Sequence, residues 1–325
     1  MQTHPRTPIS KIGKFGLIER ILGSFSQEES ASPASAQVLF LEGIHFDLTY
    51  TPLQHLGYKA VVRALGQVMA MNVTPHHLLV AVGLSKRFFV EDVEQLFVGI
   101  KSACNEHQIK LVGLDFESSY TGLTLSVTAM GVANKPLSEI PKDGKPTDLL
   151  CVTGNLGAAY MGLQLLEREK ALFSSKEKAQ PQLLGKEYIL QRYLRPTLCT
   201  KLFTILHQEE ITPTSICFLT NGLAHGVQTI AATLGCGAKI YVEKIPIATK
   251  TFEMAQELNH DALLCALNGG DDYEFLLSLP ISMHQKVARE LPVDIIGHLN
   301  EAAQGTILIT PEGNALPLSS PGWGE

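Results

Sequence analysis

Apolar residues follow two alternating periods along this chain. From Leu56 to Met71 they recur every three to four positions, the spacing of a helix that buries one face. Val90 to His107 repeats that spacing, with Val93, Leu96, Phe97 and Ile100 on one side. Short apolar runs predict strands at Gln37 to Leu41, His77 to Gly83, Ile109 to Val112 and Gly122 to Val132, the last alternating through Leu123, Leu125 and Val127. Pro136 to Lys145 is polar and turn-rich, with Pro136, Pro141 and Gly144, and predicts a domain boundary. The second half opens with a strand at Leu149 to Thr153, a Gly-rich turn and a helix at Ala158 to Glu169. Ala171 to Lys186 reads as a polar linker, and Pro196 as the start of a helix, where its missing N–H costs nothing. Strands are expected at Ser215 to Leu219, Ala238 to Val242, Glu274 to Leu279, Val293 to Gly297 and Thr306 to Thr310, with helices between them. Ser26 to Ala36 is small and polar and is expected to be mobile.

The 325 residues suggest about two domains. Only 18% of residues are charged against an average of about 25%, and the deficit is uneven. Ala64 to Ser85, Leu149 to Leu166 and Ile211 to Ala238 contain no Asp, Glu, Lys or Arg. A spanning helix needs about 20 mostly apolar residues. These windows instead carry Gln67, Pro75, His76 and His77, then Gly154, Asn155 and Gly157, then Pro213 and Asn221. They read as core, not membrane. Lys and Arg number 26 against 32 Asp and Glu, and this mild acidity without a basic stripe excludes a nucleic-acid binder. Cys104, Cys151, Cys199, Cys217, Cys236 and Cys265 are scattered with no CxxC, the pattern of reduced thiols in a cytoplasmic protein. Met1 to Phe25 has no long apolar run, since Phe15-Gly16-Leu17-Ile18 meets Glu19-Arg20 at once, so no secretory signal is expected.

Candidate chemistry gathers at a few turns. Gly154-Asn155-Leu156-Gly157 joins a strand to a helix, where backbone N–H groups can cradle a phosphate or merely make a tight turn. Gly269-Gly270-Asp271-Asp272-Tyr273-Glu274 crowds three carboxylates before a strand, either to bind a cation or hydroxyl or as a solvated acidic cap. Asp115 follows the strand Ile109 to Val112, a position suited to metal or ligand work or to a turn. His45, in Glu42-Gly43-Ile44-His45-Phe46-Asp47, suits an anionic substrate or a structural role. His76-His77 has no partner at metal-ligand spacing. No nucleophile elbow is present, and the glycines from Gly222 to Gly237 lack the Lys of a P-loop.

Together these segments resemble the thiamine-monophosphate kinase family. The resemblance runs through Ile12-Gly13-Lys14-Phe15-Gly16-Leu17-Ile18, Glu42 to Asp47, Leu56-Gly57-Tyr58-Lys59-Ala60, Ala70-Met71-Asn72, Asp115, Gly122 to Gly131, Val152 to Gly157, Leu194-Arg195-Pro196 and Asn268 to Glu274. It implies the aminoimidazole-ribonucleotide-synthetase-like fold, of class α/β plus α+β. An N-terminal helix and mobile segment (1–36) would precede an α/β domain (37–146) that dimerises by its sheet, and an α+β domain (147–325) would follow. ATP, Mg²⁺ and substrate would occupy the cleft between the domains. Nucleotide contact would fall to Gly154, Asn155, Gly157, Asn221 and Gly222, substrate contact to His45, Asp271 and Asp272, and catalysis and metal binding to Asp115.

The sequence departs from the family where aspartates are expected. The early Gly-Asp-Asp block has no counterpart, and Ser26 to Ala36 stands in its region. The Asp of the next strand falls on Val38, and a Ser-Asp pair falls on Gly66-Gln67. A Gly-Gly-Asp-Thr turn has become Gly113-Leu114-Asp115-Phe116, an Asp-x-Ser-Asp-Gly turn has become Phe218 to Gly222, and a further Asp falls on Gly226. An Arg of the connector falls near Pro141. Phosphoryl transfer depends on metal-held phosphates, and Val38 and Phe218 offer no ligating atom. The expectation is a noncatalytic or impaired paralogue that binds a small-molecule ligand or a partner, as a homodimer or as a heterodimer with an active paralogue. The alternative is an active ATP-dependent thiamine-phosphate kinase with a reduced metal set. Val38, Gln67, Asp115, Phe218, Asn221 and Gly226 are expected to converge on one cleft.

Overall fold

The structure, a computed structural model, describes residues 11–22, 34–133, 143–175 and 181–320. After α1 (Gly13–Leu22), the first half contributes β1 (Ala34–Leu41), α2 (Leu53–Ala70), β2 (Val73–Leu84), α3 (Val90–Glu106), β3 (Lys110–Ser118) and β4 (Thr124–Ala133). These strands form a four-stranded sheet in the order β1-β4-β2-β3. Only β2 and β3 run parallel, because α3 carries the chain back across the sheet between them. Alternation decides the faces. Val38, Phe40, Val80, Val82, Leu125 and Val127 point inward and are buried, and α2 packs over β1, β2 and β4 on that side. Leu39 and Leu79 are exposed on the opposite, outer face.

The second half holds β5 (Leu149–Val152), α4 (Ala158–Ser175), α5 (Glu187–Leu194), α6 (Thr200–Gln208), β6 (Ser215–Phe218), α7 (Leu223–Thr233), β7 (Gly237–Tyr241), α8 (Thr249–Leu258), α9 (Ala262–Asn268), β8 (Phe275–Leu279), α10 (His284–Glu290), β9 (Asp294–Asn300), β10 (Thr306–Ile309) and β11 (Ala315–Pro317). A seven-stranded mixed sheet runs in the order β11-β10-β7-β9-β5-β8-β6. Its central strands β5 and β8 are buried along their whole length, which is why they read as unbroken apolar runs. One core cluster joins the two sheets, with Val38, Leu65, Phe218, Tyr273 and Phe275 among its members. Helix α2 is the hinge pin of that cluster, touching β1 on one side and β6 on the other.

Several sequence expectations need correction. Pro196 does not start a helix. Helix α5 ends at Leu194, the residue before the proline leaves the helical region (Arg195, φ −137°, ψ 66°), and α6 begins only at Thr200. The expected linker from Ala171 is helical to Ser175, and Glu187 already lies in α5. Strand β1 starts at Ala34, inside the segment expected to be mobile, because every residue from Ala34 to Leu41 finds a partner on β4; the rest of that segment, 26–33, lies outside the described residues, as do 136–142 of the connector. Strand β3 continues to Ser118, so Asp115 lies within a strand and not at its end. A bulge opposite Leu78 and Leu79 absorbs Val112 and lets pairing with β2 continue. Among the described residues the six cysteines are free thiols, and no helix is long and apolar enough to cross a membrane.

Candidate functional site

A cavity of about 720 Å³ opens between the two halves. Helix α2 supplies its floor. Lys59 and Arg63 sit four residues apart on the same helical face, 3% and 9% exposed among Ala60, Val61, Val62 and Ala64. Both face Asp271, whose carboxylate lies 2.9 Å from the Lys59 ammonium and 3.9 Å from the Arg63 guanidinium. Burial works against the Asp271 charge, but Lys59 and Arg63 outweigh it and hold the carboxyl below its usual range. The Lys59 ammonium also lies 3.9 Å from the centre of the Tyr193 ring.

The Gly-Gly-Asp-Asp-Tyr-Glu turn earns its composition from its backbone. Gly270, Asp271 and Tyr273 all have positive φ (76°, 57° and 56°), a rare conformation for a bulky residue such as Tyr273. Hydrogen bonds from the Asp271 N–H to the Thr220 carbonyl (3.0 Å) and from the Tyr273 N–H to the Leu219 carbonyl (3.1 Å) hold it. The consequence is that consecutive side chains diverge. Asp271 faces the cavity, whereas Asp272 is 1% exposed and turns behind its wall. There it accepts the Gly157 N–H (2.8 Å) and the Ala159 N–H (3.3 Å), capping α4. Burial pushes the Asp272 carboxyl up to about 7 even so. Glu274 accepts from Thr153 (2.5 Å) and pairs with Arg192 at 2.9 Å. Arg192 in turn donates to the carbonyls of Asn155 and Asp272, each at 2.9 Å. The acidic turn is therefore a buried ion-pair network and not a solvated cap.

That network also answers the two readings of Gly154-Asn155-Leu156-Gly157. The Gly157 N–H is committed to Asp272, and the Leu156 N–H to the Pro246 carbonyl at 2.9 Å. A Cβ on Gly154 would meet the Glu274 carboxylate at 2.1 Å, and one on Gly157 the Ala266 nitrogen at 2.9 Å. The glycines serve close packing against Glu274 and α9, and two of the turn's N–H groups are already taken by protein acceptors. Gly222, the N-cap of α7 at φ 90°, likewise packs on the Leu267 carbonyl, 2.4 Å from where its Cβ would be. Asn221 lines the cavity.

His45 also lines the cavity. Its Nδ1 accepts the Leu41 N–H at 3.0 Å, which leaves the ring proton of the neutral imidazole on Nε2. The mouth is bridged by charged pairs between the loop after β1 and α4. Lys170 lies 2.6 Å from Asp47 and 3.7 Å from Glu167, and the Tyr50 hydroxyl donates to Glu167 at 2.5 Å. Burial would raise the Asp47 carboxyl, yet Lys170 and Thr49 hold it at about 2.

The structure thus brings His45, Asn221 and Asp271 to one cavity and leaves Asp272, Gly154, Gly157 and Gly222 in its supporting walls. Asp115 is elsewhere. It pairs in register with Ala81, two residues on from Leu79, on the outer face of the four-stranded sheet. The positions expected to converge do so only in part. Val38 and Phe218 are buried in the cluster that joins the sheets, and a Cβ on Gly66 would lie 2.2 Å from the tip of the Phe218 ring. Gly226 packs on Leu219 on the far side of β6, and half-buried Gln67 is not among the cavity residues. Sequence reasoning missed the roles of Lys59, Arg63, Tyr50, Glu167, Lys170 and Tyr193. Two cations four apart inside an apolar helix was the available signal.

Comparison with known proteins matches this architecture. The family of AIR synthase related protein, N-terminal domain, matches residues 33–133. Thiamine-monophosphate kinase of Aquifex aeolicus is 26% identical over 284 residues, covering 84% of this chain and 87% of the relative. That of Bacillus subtilis is 23% identical over 291 residues, covering 87% and 85%. The chain is similar to thiamine-monophosphate kinases over most of its length, which supports the resemblance read from its motifs. A solved structure of AaThiL complexed with AMPPCP and TMP superposes with a TM-score of 0.80 at 24% identity, covering 99% of both chains. The fold is that of the aminoimidazole-ribonucleotide-synthetase-like superfamily, mixed α/β with two sheets. Gly43 to Asp47 and Asn268, Gly269 and Asp271, from two of the segments that carry the resemblance, line the same cavity.

Proposed function

We propose that this chain is a noncatalytic or severely impaired paralogue of thiamine-monophosphate kinase that acts by holding a small-molecule ligand in its cleft or by joining a partner. The observation that carries the reading is the burial in one core cluster of Val38 and Phe218, two positions where the resemblance puts aspartates, with Phe218 packed on Gly66, where it puts a serine. A dry aromatic contact gives a divalent cation neither oxygen ligands nor room. The acids available for a reduced metal set are engaged apart from one another: Asp115 on the outer face, Asp271 with Lys59, and Asp272 with the start of α4. Among the described residues no group of three or more His, Cys, Asp or Glu side chains is arranged to hold a metal ion. The residues present do not fit a family-type Mg²⁺ site, and no transfer step is derived through one.

ATP binding is a property of the relatives that the AMPPCP complex supports. Here Gly154, Gly157 and Gly222 are packed against their neighbours, and a nucleotide in this cleft would meet Asn221 and the floor of α2. Pairing as a homodimer, or with an active paralogue, would use the outer face of the four-stranded sheet, where Leu39 and Leu79 are exposed. The free thiols support a reducing, cytoplasmic setting.

The test is an ATP-dependent assay with thiamine phosphate and Mg²⁺, beside calorimetric titration with Mg-ATP. Turnover is expected at less than about one-thousandth of an ordinary enzyme rate of about 10 s⁻¹. Turnover near that ordinary rate would overturn the reading in favour of an active kinase.

A further inference from the structure

Lys59 and Arg63 share one carboxylate, Asp271, and Arg63, the one of the two that lines the cavity, lies at the longer distance of 3.9 Å. Arg63 lines the cavity at 9% exposure, and its Nε is buried with no hydrogen-bond partner among the described residues. A buried donor of a charged group left unmet is costly, and a ligand acceptor would relieve it. Phe40, 5.4 Å from the Arg63 guanidinium, fixes that side chain from behind.

We propose that the cleft binds the oxyanion end of a small organic acid, a carboxylate or a phosphate, directly on Arg63 without a divalent cation. The proposal rests on the ligand-binding reading above and extends it by naming what the ligand carries and how its charge is met. The planar guanidinium presents paired N–H donors that match two oxygens of a carboxylate or phosphate.

The experiment is thermal stabilisation and calorimetric titration of the full chain with thiamine phosphate, thiamine, inorganic phosphate and acetate, each in EDTA and again with Mg²⁺. At least one anion is expected to bind in EDTA, with affinity unchanged by Mg²⁺, and thiamine without its phosphate is expected to bind more weakly than thiamine phosphate. Preference between acetate and inorganic phosphate identifies the oxyanion. Arg63→Gln is expected to weaken anion binding about 10- to 100-fold, and Arg63→Lys, which keeps the charge and loses the fork, by less. Binding only with Mg²⁺, wild-type affinity in both variants, or no anion binding at about 10 mM would overturn it. Should Arg63→Gln not fold, Arg63→Lys and the EDTA comparison decide the matter. Enzyme-rate turnover of ATP and thiamine phosphate would remove the noncatalytic reading while leaving this inference to the EDTA arm.

Discussion

Helix α2 presents two different environments within one turn. At Lys59 and Arg63 it carries charge into the interior, and each charge is answered by Asp271 or by an aromatic face. Three residues further on, about 4.5 Å along the axis, Gly66 meets the Phe218 ring, which packs between Tyr273 and Phe275 with ring centres 5.3 and 5.1 Å away. The first region is polar, open to a cavity and able to exchange partners with a ligand. The second is closed, and its stability comes from shape. The charges on α2 lie beside a counter-charge at the edge of a cavity, and the Phe218 side has neither.

Removing a counter-charge on the polar side is expected to have the largest effect. Glu274→Ala would leave Arg192 buried and unpaired and Thr153 without its acceptor, lowering stability by about 3–5 kcal/mol in urea unfolding. A cost within experimental error would mean that the network is not what holds the acidic turn. On the apolar side Gly66→Ala should cost about 1–3 kcal/mol by overpacking against Phe218. Combining it with Phe218→Leu should recover part of that loss; simple additivity of the two changes would show that the contact is looser than its geometry. The smallest effect belongs to the mouth. The Asp47 carboxyl is held at about 2 in the folded chain, below its ordinary value, so its stabilisation is present above about pH 4 and is lost as pH falls toward 2. Asp47→Asn should flatten that acid limb by no more than about 1 kcal/mol, as befits a partly exposed pair. A steeper acid limb in the variant would reverse the sign and refute the assignment.

Much of this arrangement was legible in the residue pattern. Strands β2, β4, β5, β7, β8, β9 and β10 announced themselves by alternation or by short apolar runs, and α2 and α3 by their helical stripes. The errors fall where long-range pairing overrides local preference. Pairing with β4 extends β1 back into a polar segment, and pairing with β2 carries β3 past Asp115. At the site, the Gly-Gly-Asp-Asp-Tyr-Glu turn stood out, but its composition did not reveal that Asp271 and Asp272 face opposite ways. That follows from positive φ at Asp271 and Tyr273, held by carbonyls of the β6–α7 loop about fifty residues earlier in the chain.

The sequence by itself determined the two-part α/β plan, the apolar windows, and the absence of carboxylates at Val38, Gly66-Gln67 and Phe218, because periodicity and side-chain chemistry are local properties. Tertiary structure decided which remaining charges meet. Lys59 and Arg63 reach Asp271 only because α2 spans both sheets, and Asp115 leaves the cleft only because its strand exposes it on the outer face. Pairing across long sequence separations is a property of packing, and packing sets which charge is answered by protein and which is left for a ligand.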